Sequence, residues 1–371
     1  MNHFYRIFVL LLVVASAGIA AEWKVAQPGW SYEFPRDHGS HPGFKTEWWY
    51  FTGTLADSTG RQFGYQLTFF RQGIRVPSEQ RKERSRFIVD DMKFGHFALT
   101  DLANKRFIHH QKLSRGAFNE SGVQANVTGA GKVAWLEDWT LSIDDAGRFV
   151  IAGSSPEGRV NLTLEAAKPW VIHGEGGISQ KAAGEGRASH YYSGTRLRSQ
   201  GRVSIDGDEI EVKGESWFDH EWATNQLTAE QIGWEWFSIQ LEDGSELMLY
   251  QMRRRDGSSD QTSSGTYVVK DGSSQHLRRD DYKLTPTKYW TSKATGARYP
   301  TAWKAEVPSL ALQLDIEAAM PEQELVLKPI AYWEGMIRIS GTRAGKDIQG
   351  HGYMELTGYA GPLVGLSTPE P

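Results

Sequence analysis

The sequence contains no cysteine among its 371 residues. This single absence removes thiol nucleophiles, Cys-ligated zinc, disulfide staples and a lipidated cysteine anchor. Positive charge is not in excess: 41 Lys plus Arg stand against 45 Asp plus Glu, a formal net charge of −4. Nucleic acid is therefore not an expected partner. No G-x-S-x-G nucleophile elbow, P-loop or dinucleotide-binding glycine fingerprint occurs, so neither a serine-hydrolase triad nor a cofactor is implied. Helical periodicity is scarce. Beyond the N-terminal segment, no apolar run is long enough to span a bilayer.

Aromatic residues are plentiful, with 14 Trp, 14 Tyr and 16 Phe, alongside 39 Gly. That bias suits strands, turns and aromatic-lined pockets. At the N-terminus, Arg6 precedes an apolar run over 7–14 and the small residues Ala15, Ser16, Ala17, Gly18 and Ala20. This pattern predicts a secretory signal over 1–21, cleaved near Ala20 or Ala21. The expected mature protein is periplasmic or secreted, with no integral membrane segment.

Period-2 alternation recurs along the chain. Phe63, Tyr65, Leu67 and Phe69 share one face, with Gly64, Gln66 and Thr68 on the other. Turn signals at Asp57-Ser58-Thr59-Gly60, Asp206-Gly207, Asp243-Gly244 and Asp271-Gly272 separate such runs, as in an antiparallel meander. The pattern also repeats. Glu47-Trp48-Trp49 leading to Tyr65-Gln66-Leu67 and Arg71 is echoed by Glu235-Trp236-Phe237 leading to Tyr250-Gln251-Met252 and Arg253. Gly214 to Trp217-Phe218-Asp219 is echoed by Gly350 to Tyr353-Met354-Glu355. Two matches in the same order predict two copies of one β-domain, over 22–225 and 226–371. Barrel and sandwich both fit such strands.

Two short strand segments carry chemistry-bearing side chains. His190 and Tyr192 are at i and i+2 and share a strand face, as do Trp217, Asp219 and Glu221. Glu47 is expected to pair with Arg71 or Arg196 at a barrel end, with Trp48, Trp49 and Tyr50 alternating in and out. His96 reads as a satisfied strand histidine. His38 with His41, and His109 with His110, lack a carboxylate at ligand spacing, so no metal is expected. The Gly-rich segment 174–187 runs straight into His190 and reads as a lid or as a surface connection.

Several motifs resemble the AttH/CrtC family, which includes carotenoid 1,2-hydratases. They include His41-Pro42, Glu47-Trp48-Trp49-Tyr50-Phe51, His96-Phe97-Ala98-Leu99-Thr100-Asp101 and Tyr191-Tyr192-Ser193-Gly194. Ser216-Trp217-Phe218-Asp219-His220-Glu221-Trp222, Gly233-Trp234-Glu235-Trp236-Phe237 and Tyr332-Trp333-Glu334-Gly335 complete the set. The resemblance spans nearly all the chain after residue 22. It implies an all-β fold of two tandem lipocalin-like (calycin) antiparallel barrels, and a ligand-handling role beside a transporter. In the hydratase branch a His-x-aromatic pair and an aromatic-x-Asp pair form the acid site. By resemblance these map onto His190 with Tyr192 and Trp217 with Asp219, although Tyr192 stands where the hydratases tend to have Trp. Tyr191, Glu221, Trp48 and Tyr50 are then the expected ligand contacts. A buried Asp219 would stay protonated and donate to an alkene. The resulting cation would lie against aromatic faces, with His190 orienting the acid or a water. Aligning Tyr332 with Tyr192 puts Ile330 opposite His190, which favours chemistry in the first copy alone.

Three readings of function stand open at this point. One is a carrier of an apolar or terpenoid-like small molecule. The second is an enzyme that hydrates or isomerises a polyene, and the third is a glycan-binding module with exposed aromatic platforms. Asp219 itself reads either as the proton donor or as part of a hydrogen-bonded seam between domains.

Overall fold

The computed structural model describes residues 22–77, 88–225 and 227–361. The expected export segment 1–21 lies outside them. All the strands pair antiparallel, and the only helix among the described residues is three-residue 3-10 turns. The first sheet has thirteen strands: β1 (Thr46–Ala56), β2 (Gln62–Gly73), β3 (Asp91–Asp101), β4 (Arg106–Ser114), β5 (Ser121–Val123), β6 (Gly131–Leu136), β7 (Trp139–Ile143), β8 (Phe149–Ser154), β9 (Gly158–Ala166), β10 (Val171–Ile172), β11 (Ser179–Gln180), β12 (Ala188–Ile205) and β13 (Asp208–Ala223). The second has ten: β14 (Gln231–Leu241), β15 (Glu246–Arg254), β16 (Ser264–Val268), β17 (Ser274–Arg278), β18 (Lys283–Thr291), β19 (Arg298–Val307), β20 (Leu312–Ala318), β21 (Glu324–Val326), β22 (Ala331–Arg343) and β23 (Lys346–Leu356).

One topological rule builds both sheets. The first strand of each pairs with the second strand on one side and with the last on the other: β1 between β2 and β13, β14 between β15 and β23. The sequence repeats fall on these strands. The first sheet curls until β6 approaches β2, β3 and β4, giving a nearly closed barrel, while the second remains a half-barrel. The lipocalin-like all-β architecture expected from the sequence is the observed one. The turn residues act as their chemistry requires. Asp206 (φ 53°) and Gly207 (φ 94°) both take the left-handed conformation of a two-residue hairpin between β12 and β13.

The barrel interior is filled by the alternate residues Trp49, Phe51, Phe63, Tyr65, Leu67 and Phe218, among others. The opposite faces of the same strands are buried too, which an amphipathic pattern does not foretell. Gln66 and Thr68 are both fully inaccessible. The reason is the second sheet, whose β14, β15, β22 and β23 lie face to face with β1, β2, β12 and β13. Tyr50, Tyr191, Trp217, Trp236, Met336 and Tyr353 form one apolar cluster between them. The approach is close at Gly64, where a Cβ would lie 2.2 Å from Met336 Cγ and 2.6 Å from the Tyr353 hydroxyl.

Candidate functional site

The inter-sheet layer encloses a cavity of about 110 Å³. Strand alternation decides what lines it. On β13, Phe218, His220 and Trp222 turn into the barrel core, so Asp219 and Glu221 turn toward the second sheet. Tyr191 arrives from β12, and Trp48 and Tyr50 from β1. The facing wall is supplied by Trp234 and Trp236 of β14, Tyr250 of β15, Tyr332 of β22 and Glu355 of β23.

Asp219 is 4% exposed and accepts from three side chains. Tyr191 Oη donates to Oδ2 at 2.8 Å, Trp217 Nε1 to Oδ1 at 2.6 Å, and the Ser193 hydroxyl also to Oδ1. Burial nevertheless pushes its carboxyl up to about 7, because desolvation of the charge outweighs the three donors, and the neighbouring Glu221 adds to the rise. Glu355 faces the same cavity and is likewise pushed up to about 7, first by burial and then by the negative charges of Asp219 and Glu221. It has one donor, Trp234 Nε1, at 3.1 Å from Oε2. A fourth acid, Glu334, sits directly across the ladder from Glu355. Burial and the Glu355 charge hold Glu334 well above the usual carboxylate range. Tyr50 donates its hydroxyl to Glu334 Oε1, while Oε2 has no hydrogen-bond partner.

Segment 174–187 closes one side of this cavity. Lys181 Nζ pairs with Glu221 Oε1 at 3.0 Å and lies 4.4 Å from the Tyr250 ring centroid and 5.0 Å from that of Tyr191. Backbone carbonyls of the segment accept from Gln231, Thr262 and Tyr250 of the second sheet's half of the chain. Of the two readings of this segment, lid or surface connection, its contacts place it over the inter-sheet site.

His190 and Tyr192 do not join Asp219. Both sit on the other face of β12, and the pairing expected from the sequence is corrected by strand alternation. Tyr192 lies in the barrel core with its hydroxyl 2.7 Å from His38 Nδ1. His190 packs against Trp30 and Trp222, with ring centroids 4.9 and 5.4 Å away. Trp217 keeps its expected place as a direct partner of Asp219. Glu47 pairs with Arg71 at 3.0 Å, one of the two pairings expected. His41 Nδ1 and His220 Nε2 add to the same carboxylate at 2.7 and 3.1 Å. Spacing along the chain hid this carboxylate from the histidines. The guanidinium already seated on Glu47 makes the cluster a closed ion-pair network inside the barrel.

Comparison with known proteins fits this geometry. Residues 25–359 match the family model described as AttH-like. The chain belongs to the AttH-like family. A crystal structure from Nitrosomonas europaea assigned to AttH superposes on this AttH-like protein with a TM-score of 0.80 at 33% identity, covering 91% of this chain and 99% of that one. Kievitone hydratase from Fusarium solani subsp. phaseoli is 24% identical over 274 residues, 72% of this chain and 75% of its own. The crystal structure of kievitone hydratase from Nectria haematococca gives a TM-score of 0.66 at 16% identity, over 89% and 93% of the two chains, which is a likeness of fold.

In this AttH-like protein the acids of both repeats meet at one site, rather than the first repeat acting alone. Ser193 lies opposite Asp219 on β12, and Glu334 lies opposite Glu355 on β22. Tyr332 therefore corresponds to Tyr191, not to Tyr192. The sequence alignment slipped by one residue, which in a strand exchanges the two faces. The echo of Trp217-x-Asp219 in Tyr353-x-Glu355 was the available signal for Glu355. Glu334 lies within the motif Tyr332-Trp333-Glu334-Gly335 and Lys181 within the possible lid 174–187, but the sequence assigns neither a role.

Proposed function

We propose that this AttH-like protein binds an apolar, unsaturated small molecule between its two sheets and adds water across a carbon–carbon double bond. One observation carries the proposal. Two carboxyls, Asp219 and Glu355, face a single aromatic cavity and titrate near neutrality. An unactivated alkene needs a neutral carboxylic acid beside an apolar chain, and burial supplies it. The hydratase relative supports the same chemistry.

The donors around the two acids divide the labour. Three hydrogen bonds into Asp219 favour its ionised form, whereas Glu355 has one donor and is raised by the Asp219 charge. In this proposal Glu355 gives its proton to one alkene carbon, and the π electrons form that C–H bond. The cation left on the adjacent carbon lies against Trp236, Tyr191 and Trp48. Water attacks the cation and Asp219 takes the water's proton. The net change is addition of H and OH. The sequence reading put the transferred proton on Asp219; the surrounding donors argue for Glu355 as its source.

Asp219→Asn and Glu355→Gln should each retain ligand binding and lower turnover by about 10²–10⁴-fold. Full turnover in both variants would leave a carrier of apolar molecules as the reading. The glycan reading draws less support, because among the described residues no tryptophan is exposed, although Tyr289 and Phe118 are. The proposal keeps the exported setting, with N-terminal sequencing of protein from separated cell fractions as its check. It also keeps a transporter partner, to be sought by crosslinking in the same fractions.

A further inference from the structure

A second, larger hollow adjoins the acid cavity. It holds about 600 Å³ and shares four lining side chains with the inner chamber: Phe70, Trp234, Tyr332 and Glu355. Its floor is the stacked pair Phe70 and Phe94, with ring centroids 4.5 Å apart. Its rim carries two large apolar side chains that remain exposed, Ile74 at 54% and Leu113 at 65%. The rim also carries Lys45 and Lys328, neither of which makes a salt bridge among the described residues. The third rim lysine, Lys112, is neutralised by Glu137 and Asp138.

The inner chamber alone cannot house a typical small-molecule ligand, for which pockets run to ~300–1,000 Å³. The groove adds the missing volume, and its apolar floor with rim cations that make no salt bridge among the described residues is the complement of an amphipathic anion. We infer that chamber and groove are two halves of one binding site for an elongated amphipathic acid. Its slender unsaturated end enters between Asp219 and Glu355, its apolar middle passes Phe70 and Trp234, and its anionic group ends opposite Lys45 and Lys328. Glu355, lining both spaces, marks where the double bond must lie along that molecule. The inference deepens the hydratase reading by naming a substrate class, but its test reads binding and not turnover, so either can fail without the other.

The experiment is titration calorimetry of the whole protein with three probes: farnesoic acid, farnesol and the short 3-methyl-2-butenoic acid. Farnesoic acid should bind about tenfold more tightly than either of the others. The double variant Lys45→Met with Lys328→Met should bring farnesoic acid to within about twofold of farnesol while leaving farnesol unchanged. Ile330→Trp, which fills the groove, should weaken both long probes by about tenfold or more and spare the short acid. Equal affinity for farnesoic acid and farnesol in the native protein overturns the inference. So does a preference that survives the double lysine variant, a short acid that binds as well as the long one, or no binding of either long probe.

Discussion

Asp219 and Glu355 end the two aromatic-x-acid motifs, Trp217-Phe218-Asp219 on β13 and Tyr353-Met354-Glu355 on β23, and both line one cavity. Asp219 lies opposite Tyr50 on β1 and Ser193 on β12; Glu355 lies opposite Trp236 on β14 and Glu334 on β22. Because the sheets pack with these faces together, the two acids look into one cavity from opposite walls. A duplicated strand motif has thereby become a pair of unlike carboxyls, distinguished by the donors each half happens to provide.

The pH profile of the reaction follows from that pair. The proposed hydration needs Glu355 protonated and Asp219 ionised, and burial pushes both to about 7. The profile of kcat/KM should be a narrow bell near neutrality, its limbs belonging to the pair as a unit. Removing the acid with Glu355→Gln should abolish the bell, not shift it. A flat profile from pH 5 to pH 9 in the native protein would contradict the assignment.

Stability should carry the opposite mark of the same burial. The folded-state pKa of Asp219 is raised above the ordinary carboxylate value, so the folded chain binds the proton more tightly than the unfolded one. Its contribution is fully present below the unfolded pKa and is lost as pH rises through about 7. Asp219→Asn is expected to stabilise the protein at pH 8 by up to about 4 kcal/mol relative to its effect at pH 4. Urea midpoints of both proteins at the two pH values measure this.

The Glu47–Arg71 pair should behave in the reverse sense. Both side chains are buried, and Arg71 together with His220 and His41 holds Glu47 well below the usual carboxylate range. Its stabilising effect is present above the unfolded carboxylate pKa and disappears in acid. Arg71→Met leaves a buried carboxylate short of its main countercharge and should cost about 3–5 kcal/mol at pH 7. Chemical denaturation of the variant reads the loss directly.

Gly64 tests whether the sheets must approach as closely as they do. Gly64→Val would drive side-chain atoms into Met336 and Tyr353. A destabilisation of about 1–3 kcal/mol is expected from overpacking. Apolar ligand affinity should fall with it, because the same displacement separates the walls of the cavity. Denaturation and calorimetry on one sample decide both.

Much of this was written in the residues themselves. Alternation in 63–69, the paired turn residues Asp206-Gly207 and the echo of Asp219 in Glu355 determined an all-β chain of two like halves. The resemblance to the hydratase branch implied a chemical role for Trp217 and Asp219. Strand period fixes which residues share a face, but it leaves open what covers that face. Packing of the second sheet on β1, β2, β12 and β13 decided that Asp219 faces an aromatic cavity while His190 and Tyr192, one residue away on β12, face the barrel core. The sequence marked segment 174–187 as a possible lid and Tyr332-Trp333-Glu334-Gly335 as a motif, but only packing brings Lys181 and Glu334 to this site. Burial, and with it the protonation of two carboxyls near neutrality, exists only once the two halves close on each other, since desolvation is a property of surroundings and not of sequence.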